Sequence, residues 1–390
     1  MVGWLLCVPI AGAQNYRVVD TGQSDCYNAS GDPIACPRPG GPFYGQDAQF
    51  KGPGFDYTDN GNGTVTDNVT GLMWQQDPGR KMTYGQALAG ARACRLAGYA
   101  DWRLPTIKEL YSLIDFRGRD PNIRRGRETG GLRPFLDTNF FRFRYGNEGE
   151  GERLIDSQYA SGTLYVGPGR PGEGGKLFGV NFADGRIKGY GLHPRGRDKT
   201  FYVLYVRGNP AYGRNHFVDN GDGTVTDTAT GLMWQQADSG RGMDWAAALS
   251  YARSLRLGGR SDWRLPSAKE LQSIVDYTRS PDKTGSAAID PVFRASTIRN
   301  EAGQTDFPCY WTGTTHASWN GRGAAAVYVA FGRAMGFMNG RWVDVHGAGA
   351  QRSDPKEGDA SDFPRGRGPQ GDAIRILNDV RCVRGGSAEP

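Results

Sequence analysis

Asp59–Gln76 reads DNGNGTVTDNVTGLMWQQ, and Asp219–Gln236 reads DNGDGTVTDTATGLMWQQ. Fifteen of the eighteen positions are identical, which chance does not supply at this length. A second shared stretch follows each: DWRLPTIKELYSLID from Asp101 and DWRLPSAKELQSIVD from Asp262. The first pair is offset by 160 residues and the second by 161, so the chain is a tandem duplication of one folding unit. Within the first block, Asn-Gly and Asp-Gly supply the positive φ angles of a hairpin turn, and TVT alternates as a strand should. Gly-Leu-Met-Trp then reads as a buried strand rather than a ligand platform.

Working outward, apolar residues at helical spacing predict helices over Tyr84–Leu96 and Trp245–Leu257, stopped near Gly98 and Gly258. In Asp-Trp-Arg-Leu-Pro, Trp102 and Trp263 are expected to bury, with the Asp and Arg anchoring the link to a second helix. That helix opens on the capping boxes Thr106-x-x-Glu109 and Ser267-x-x-Glu270. Leu110, Leu113 and Ile114, with Leu271, Ile274 and Val275, form its buried stripe. Beyond it the copies diverge into long loops. The fold class is α+β: two tandem domains, 55–208 and 215–386, preceded by an extension, 14–54, packed on the first.

Composition narrows the function. The chain has 390 residues, 59 Gly and 22 Pro, 38% hydrophobic content and a formal charge of +6. Short strands and many turns follow from this. Basic residues are scattered among acidic ones, so no nucleic-acid stripe is present, while some affinity for polyanions stays open. Val2–Ala13 (residues 1–13 in all) resembles a secretory leader without its basic beginning, with cleavage after Ala13. No segment approaches the roughly 18 apolar residues of a membrane span. A secreted, periplasmic or cell-surface location is expected.

The cysteines point the same way. Cys26 and Cys36 bracket a short loop. Aligning the copies sets Gln158 opposite Cys309 and Tyr205 opposite Cys382; copy one lacks both cysteines and copy two has both, as expected of a bonded pair. Closing that long loop would contribute roughly 4 kcal/mol in the chain-entropy model. Cys94 has no obvious partner and is expected to be a buried thiol. No CxxC spacing exists.

At DNGDGTVTDTATGLMWQ, DWRLPxxKEL and the closing VRCVRGG, the sequence resembles the Lcl C-terminal domain family, in two copies. The resemblance implies a C-type-lectin-like fold, with two helices on a small, looped antiparallel sheet in each copy. It also implies an exported or surface-attached protein, with glycan or glycosaminoglycan adhesion suggested for the family's namesake. The chain has no Gly-X-Y tract, and Tyr205 replaces the closing cysteine in copy one.

Asp219, Asn220, Asp222 and Asp227 offer oxygens for calcium, but position 3 of an EF-hand count is Gly221 and position 12 is Thr230. Hairpin chemistry explains these residues, and no cofactor or metal is assigned. The four histidines, His193, His216, His316 and His346, carry no catalytic motif, though His316, Asp344 and His346 would bind metal if the fold gathered them. No enzymatic activity is expected. Ligand-binding residues are placed in the loops of copy two, where aromatic faces and bidentate Arg suit sugars. Trp311, His316, Trp319 and Asn320 form one group, with Tyr310 beside them. Arg341, Trp342, Asp344 and His346 form a second, and Arg352, Asp354 and Lys356 a third. The leading reading is an adhesion protein whose partner is an extracellular glycan, matrix polymer or surface protein. A structural or protein-interaction scaffold competes with it, and an enzyme related to sulfatase-modifying lectin-like folds is third.

Overall fold

A computed structural model describes residues 16–121, 131–168 and 174–386. The expected leader, Val2–Ala13, lies outside them. Copy one opens with strands β1 (Tyr57–Asp59), β2 (Thr64–Asp67) and β3 (Leu72–Gln75). The β1–β2 turn needs Gly61 and Gly63 at φ 69° and 82°. Asp59 Oδ1 accepts from the Gly61 N–H at 2.9 Å, and Asn62 Oδ1 from the Thr64 hydroxyl at 2.7 Å. Alternation puts Leu72 and Trp74 wholly inside.

Helix α1 (Tyr84–Ala93) follows, then α2 (Ile107–Ser112). Both start on capping boxes, Thr83 with Gln86 and Thr106 with Glu109. Helix α1 stops three residues before the expected Leu96, because Cys94 turns extended at ψ 132°. The copy then adds β4 (Gln158–Leu164), β5 (Lys176–Asn181) and β6 (Arg186–Gly191), and closes with β7 (Val206–Gly208) against β3.

Copy two repeats the plan. Its strands β8 (Phe217–Asp219), β9 (Thr224–Asp227) and β10 (Leu232–Gln235) precede α3 (Trp245–Ser254) and α4 (Ala268–Ser273). Helix α4 begins on the Ser267–Glu270 box, and α3 on Asp244, whose side chain accepts from the Ala247 N–H. Strands β11 (Cys309–His316) and β12 (Ala325–Ala330) come next, then an extra hairpin, β13 (Met335–Met338) and β14 (Arg341–Asp344). Strand β15 (Gln351–Pro355) and the closing strand β16 (Val383–Arg384) complete it.

The copies share one sheet, in the order β4-β5-β6-β15-β12-β11. Ile187 of β6 pairs antiparallel with Gln351 of β15. These are equivalent positions, since Ile187 also pairs with Val180 and Gln351 with Val329. A local two-fold therefore runs between the copies. Helices α2 and α4 meet across it and exchange lysines: Lys108 Nζ donates to Ser273 O at 2.6 Å, and Lys269 Nζ to Ser112 O at 2.8 Å. Each half-sheet alone would expose an unpaired edge, and joining β6 to β15 covers both.

The core follows the same layering. Phe178, Val180, Val327 and Val329 face one side, with Leu110, Ile114, Leu271 and Ile274, in a cluster common to both copies. On the other side, α1 packs on Leu177 and Ala160, and α3 on Ala326 and Trp311. Trp74, Trp234, Trp245 and Trp311 are all fully buried. Truncating any one of them to alanine costs about 3–5 kcal/mol.

Three expectations are corrected here. The extension lies mainly on copy two rather than copy one. Gln23 bonds both the N–H and C=O of Thr315, at 2.9 and 2.5 Å, and Phe43 stacks on Trp245. The Cys26–Cys36 disulfide is formed, but Cys309 and Cys382 are separate buried thiols. Tyr310, next to Cys309, pairs with Asp379, whose N–H donates to Cys309 O at 3.0 Å. Cys382 is three residues further along, roughly 10 Å of extended chain, beyond the Cα separation a disulfide tolerates. Cys94, expected buried, is half-buried.

Candidate binding cleft

The repeated motifs are occupied by framework contacts. Asp101 pairs with Arg207 of the closing strand at 2.7 Å, and Asp262 with Arg384 at 2.8 Å. Arg103 grips Glu109 with two bonds of 2.6 Å, and Arg264 grips Glu270 at 2.6 and 2.7 Å. Trp102 and Trp263 each donate their indole N–H to the carbonyl of Leu96 or Leu257. The acidic turn of copy two is engaged likewise. Asp227 accepts from the His216 and Ala229 N–H groups, the Asn215 amide and the Thr230 hydroxyl.

Most of the expected ligand residues of copy two turn inward. Trp311 is fully buried and donates to Met243 O at 2.8 Å. His316 is stacked on Phe135, with Nε2 2.9 Å from Asp184 O and Nδ1 3.1 Å from Ser353 Oγ. Burial, with Arg186 beside it, pushes its pKa down to about 4. Asp344 accepts from Tyr165 and from the Ala334 and Gly347 N–H groups, while His346 meets Asp372 at 3.0 Å. His316, Asp344 and His346 thus have separate partners, and no group of metal-ligating side chains occurs among the described residues.

The third group is also internal. Arg352 pairs with Asp372, and burial and then Arg186 lower its pKa to about 10. Lys356 is fully buried, donating to Thr315 Oγ1 at 2.9 Å and lying 3.9 Å over the Trp245 ring. Burial holds its pKa well below the ordinary lysine value. Arg352 on β15 and Lys356 just past its end both face the core, which residue type alone does not reveal. Trp319, Asn320 and Arg341 are exposed, and Trp342 is half-buried against Phe337.

Trp342 and Asp354 lead to the cleft. An open depression of about 510 Å³ lies between the loop 296–308, strand β14 and the segment 360–379. Trp342, Phe363, Pro364, Ile374 and Leu377 supply apolar walls, and Arg299, Glu301, Arg375 and Asp379 the charges. Beneath it, Asp354 Oδ2 accepts from the Arg375 and Ile376 N–H groups and the Asn378 amide, at 3.0–3.1 Å. This anchors a three-residue turn, Leu377 N–H to Arg375 O, with Ile376 at φ 61°. A β-branched residue seldom adopts that angle, and the strain is held by the buried carboxylate.

Arg375 forms the floor. It donates to both oxygens of Glu301, at 2.7 and 3.1 Å, and lies 3.1 Å from Cys309 Sγ. Burial raises Glu301, but the Arg375 bonds outweigh it and hold the pKa below the ordinary value. Burial pushes the Cys309 thiol up to about 12, so it stays protonated at neutral pH. Burial, with Asp238 nearby, pushes Asp379 up to about 6. Asp379 is 4% exposed, and its Oδ2 has no hydrogen-bond partner among the described residues.

Sequence reading missed Glu301, Phe363, Arg375 and Asp379. One signal was present. Counting back from the closing strands sets Asn378-Asp379 opposite Phe201-Tyr202, so polar residues stand where copy one has aromatic ones.

The molecule is thus a duplicated, sheet-centred α+β protein with an open cleft in the divergent loops of one copy. The family model of the Lcl C-terminal domain matches residues 63–207 and 223–345. The chain belongs to that family. No curated protein and no solved structure matches it. The second match ends at residue 345, before Phe363, Arg375 and Asp379.

Proposed function

We propose that this protein is a non-enzymatic carbohydrate-binding or adhesion protein with a C-type-lectin-like fold, acting outside the cytoplasm through the copy-two cleft. The observation that carries this reading is the cleft's chemistry. An indole wall at Trp342 offers a flat apolar face, next to a clamped guanidinium and a carboxyl group, Asp379, that accepts no hydrogen bond among the described residues. Sugars present an apolar ring face with hydroxyls around its edge, and open, polar sites of this kind bind them with water included. The Cys26–Cys36 bond fits an oxidising compartment. Among the described residues no helix is long and apolar enough to cross a membrane. The protonated thiol of Cys309 favours binding over cysteine chemistry.

A glycan array, followed by titration of the hits with and without EDTA, tests the reading. Binding that Trp342→Ala abolishes supports it. The scaffold alternative draws on Leu377, 59% exposed at the cleft. Absence of binding to every glycan, together with capture of a protein through Leu377, would favour that alternative.

A further inference from the structure

The carboxylates around the cleft differ in one respect. Glu301 is clamped by Arg375, and Asp354 accepts three donors. Asp372 holds His346 and Arg352, and Asp238 accepts from Tyr310, the Ser296 hydroxyl and the Ser296 and Gly240 N–H groups. Asp354 Oδ1 also lacks a partner, but its Oδ2 takes all three donors; Asp379 borders the cleft, is more than nine-tenths buried, and its carboxyl group accepts no hydrogen bond among the described residues. Its backbone is committed, the N–H to Cys309 O and the C=O to Trp311 N–H, both at 3.0 Å, so the side chain is held in place. A buried carboxyl group without a donor carries a desolvation cost, which a ligand hydroxyl reaching it from the cleft would relieve.

The charges decide which sugar suits it. The cations lining the cleft are Arg299 and Arg375, and the carboxylates are Glu301 and Asp379, which cancel formally. Arg375 is already neutralised by its two bonds to Glu301, and Arg299 is exposed with Nη1 on Gly303 O at 2.9 Å. The interior therefore lacks the clustered, unengaged guanidinium groups that sulfate or carboxylate recognition needs. An acidic sugar would instead meet Asp379.

Resting on the carbohydrate reading above, we propose that the cleft takes an uncharged saccharide unit, whose hydroxyl donates to Asp379 while its C–H face lies on Trp342. Acidic glycans are excluded from this site. Hydroxyl donation to a carboxylate is a charge-assisted bond, and losing it weakens binding about tenfold or more.

Calorimetric titration of the full chain at physiological ionic strength tests this. Neutral oligosaccharides of glucose, galactose and mannose are set against heparin and polygalacturonate fragments. The expected result is binding of a neutral oligosaccharide, and its loss in Asp379→Leu and in Trp342→Ala. Asp379→Leu should melt no lower than the parent, because it removes an unpaired buried acceptor. Should it unfold, Asp379→Asn preserves the shape and is expected to show a weaker loss. Preference for the acidic fragments, or neutral binding untouched by both Asp379 variants, overturns the inference while leaving a carbohydrate-binding protein. Binding to neither class removes that reading as well.

Discussion

Phe201 and Tyr202 of copy one and Asn378 and Asp379 of copy two precede the same closing Val-Arg-Gly by the same distance, yet they do opposite things. In copy one, Phe201 is fully buried with Leu177 and Ala91, and Tyr202 packs on Tyr159 at 5.3 Å. In copy two, Asn378 and Asp379 border an open cleft. The neighbours differ in step. Copy one joins β5 to β6 through a tight turn at residues 182–185, where copy two inserts the β13–β14 hairpin that carries Trp342. Leu204 is matched by Arg381, whose guanidinium reaches Gln235 O, Gln236 O, Arg294 O and Tyr310. The duplication kept the frame twice and released one copy's loops from packing duty.

The largest expected effect concerns the frame, where the copies are alike in contact but unlike in burial. Side-chain exposure is 6% for Arg264 and 11% for Glu270, whereas Arg103 is 37% exposed over a buried Glu109. Phe50, from the extension, lies over the Arg264 guanidinium at 5.3 Å. Arg264→Met is expected to cost about 3–5 kcal/mol in urea unfolding, because Glu270 is left buried and uncompensated. Arg103→Met should cost less, since water reaches that pair. Equal losses would mean that burial does not separate the two pairs.

The extension provides the next contrast. Thr163 in copy one accepts from the Ile107 N–H, and its counterpart Thr314 does the same from Ala268. Thr314 also donates to Asp47 Oδ2 at 2.6 Å, with Thr21 donating to the same atom at 2.7 Å. Burial outweighs these bonds and raises Asp47 to about 6, from an ordinary value of 3.8. Because the folded value lies above the unfolded one, the stability this group contributes is full below pH 3.8 and is lost as pH rises through about 6. Asp47→Asn should therefore gain on the parent by up to about 3 kcal/mol between acid and neutral pH. Unfolding at several pH values checks this; a constant difference between the two proteins would remove the effect.

Smaller in energy, but direct, is a graft of one copy onto the other. Asn378→Phe with Asp379→Tyr recreates the copy-one pair inside copy two. Saccharide binding should fall about tenfold or more while the fold persists. Retained affinity would place the ligand elsewhere.

How far the sequence reveals these features depends on distance along the chain. The hairpins, the capping boxes and the Trp-x-Leu spacing of the Asp-Trp-Arg-Leu-Pro link rest on neighbours within a few residues, and they are readable. The shared sheet is not, because Ile187 and Gln351 meet only after both half-sheets have formed. Lys356, Arg352 and His346 look like surface ligands by residue type, but Arg352 faces inward from β15, and Lys356 and His346 are buried just past the ends of β15 and β14. Asp379 sits on no periodic pattern. The role proposed for it comes from what it lacks, a donor among the described residues, and that is visible only in three dimensions.

The smallest effect separates the copies by pH. Asp379 faces Asp238, Arg375 and Arg381, with Cys309 and Glu301 across the floor, whereas Tyr202 in copy one has no titration near neutrality to offer. Burial first, and Asp238 second, raise Asp379 to about 6; Arg375 and Arg381 oppose them. If the ligand hydroxyl donates to the ionised carboxyl, binding is full well above pH 6 and declines as pH falls through it. From pH 7.5 to 5.5 the ionised fraction drops about fourfold, and affinity should follow. The same titration of Asp379→Asn should be flat. A pH slope that survives this substitution would assign the titration to another group, with Glu301 the next to test.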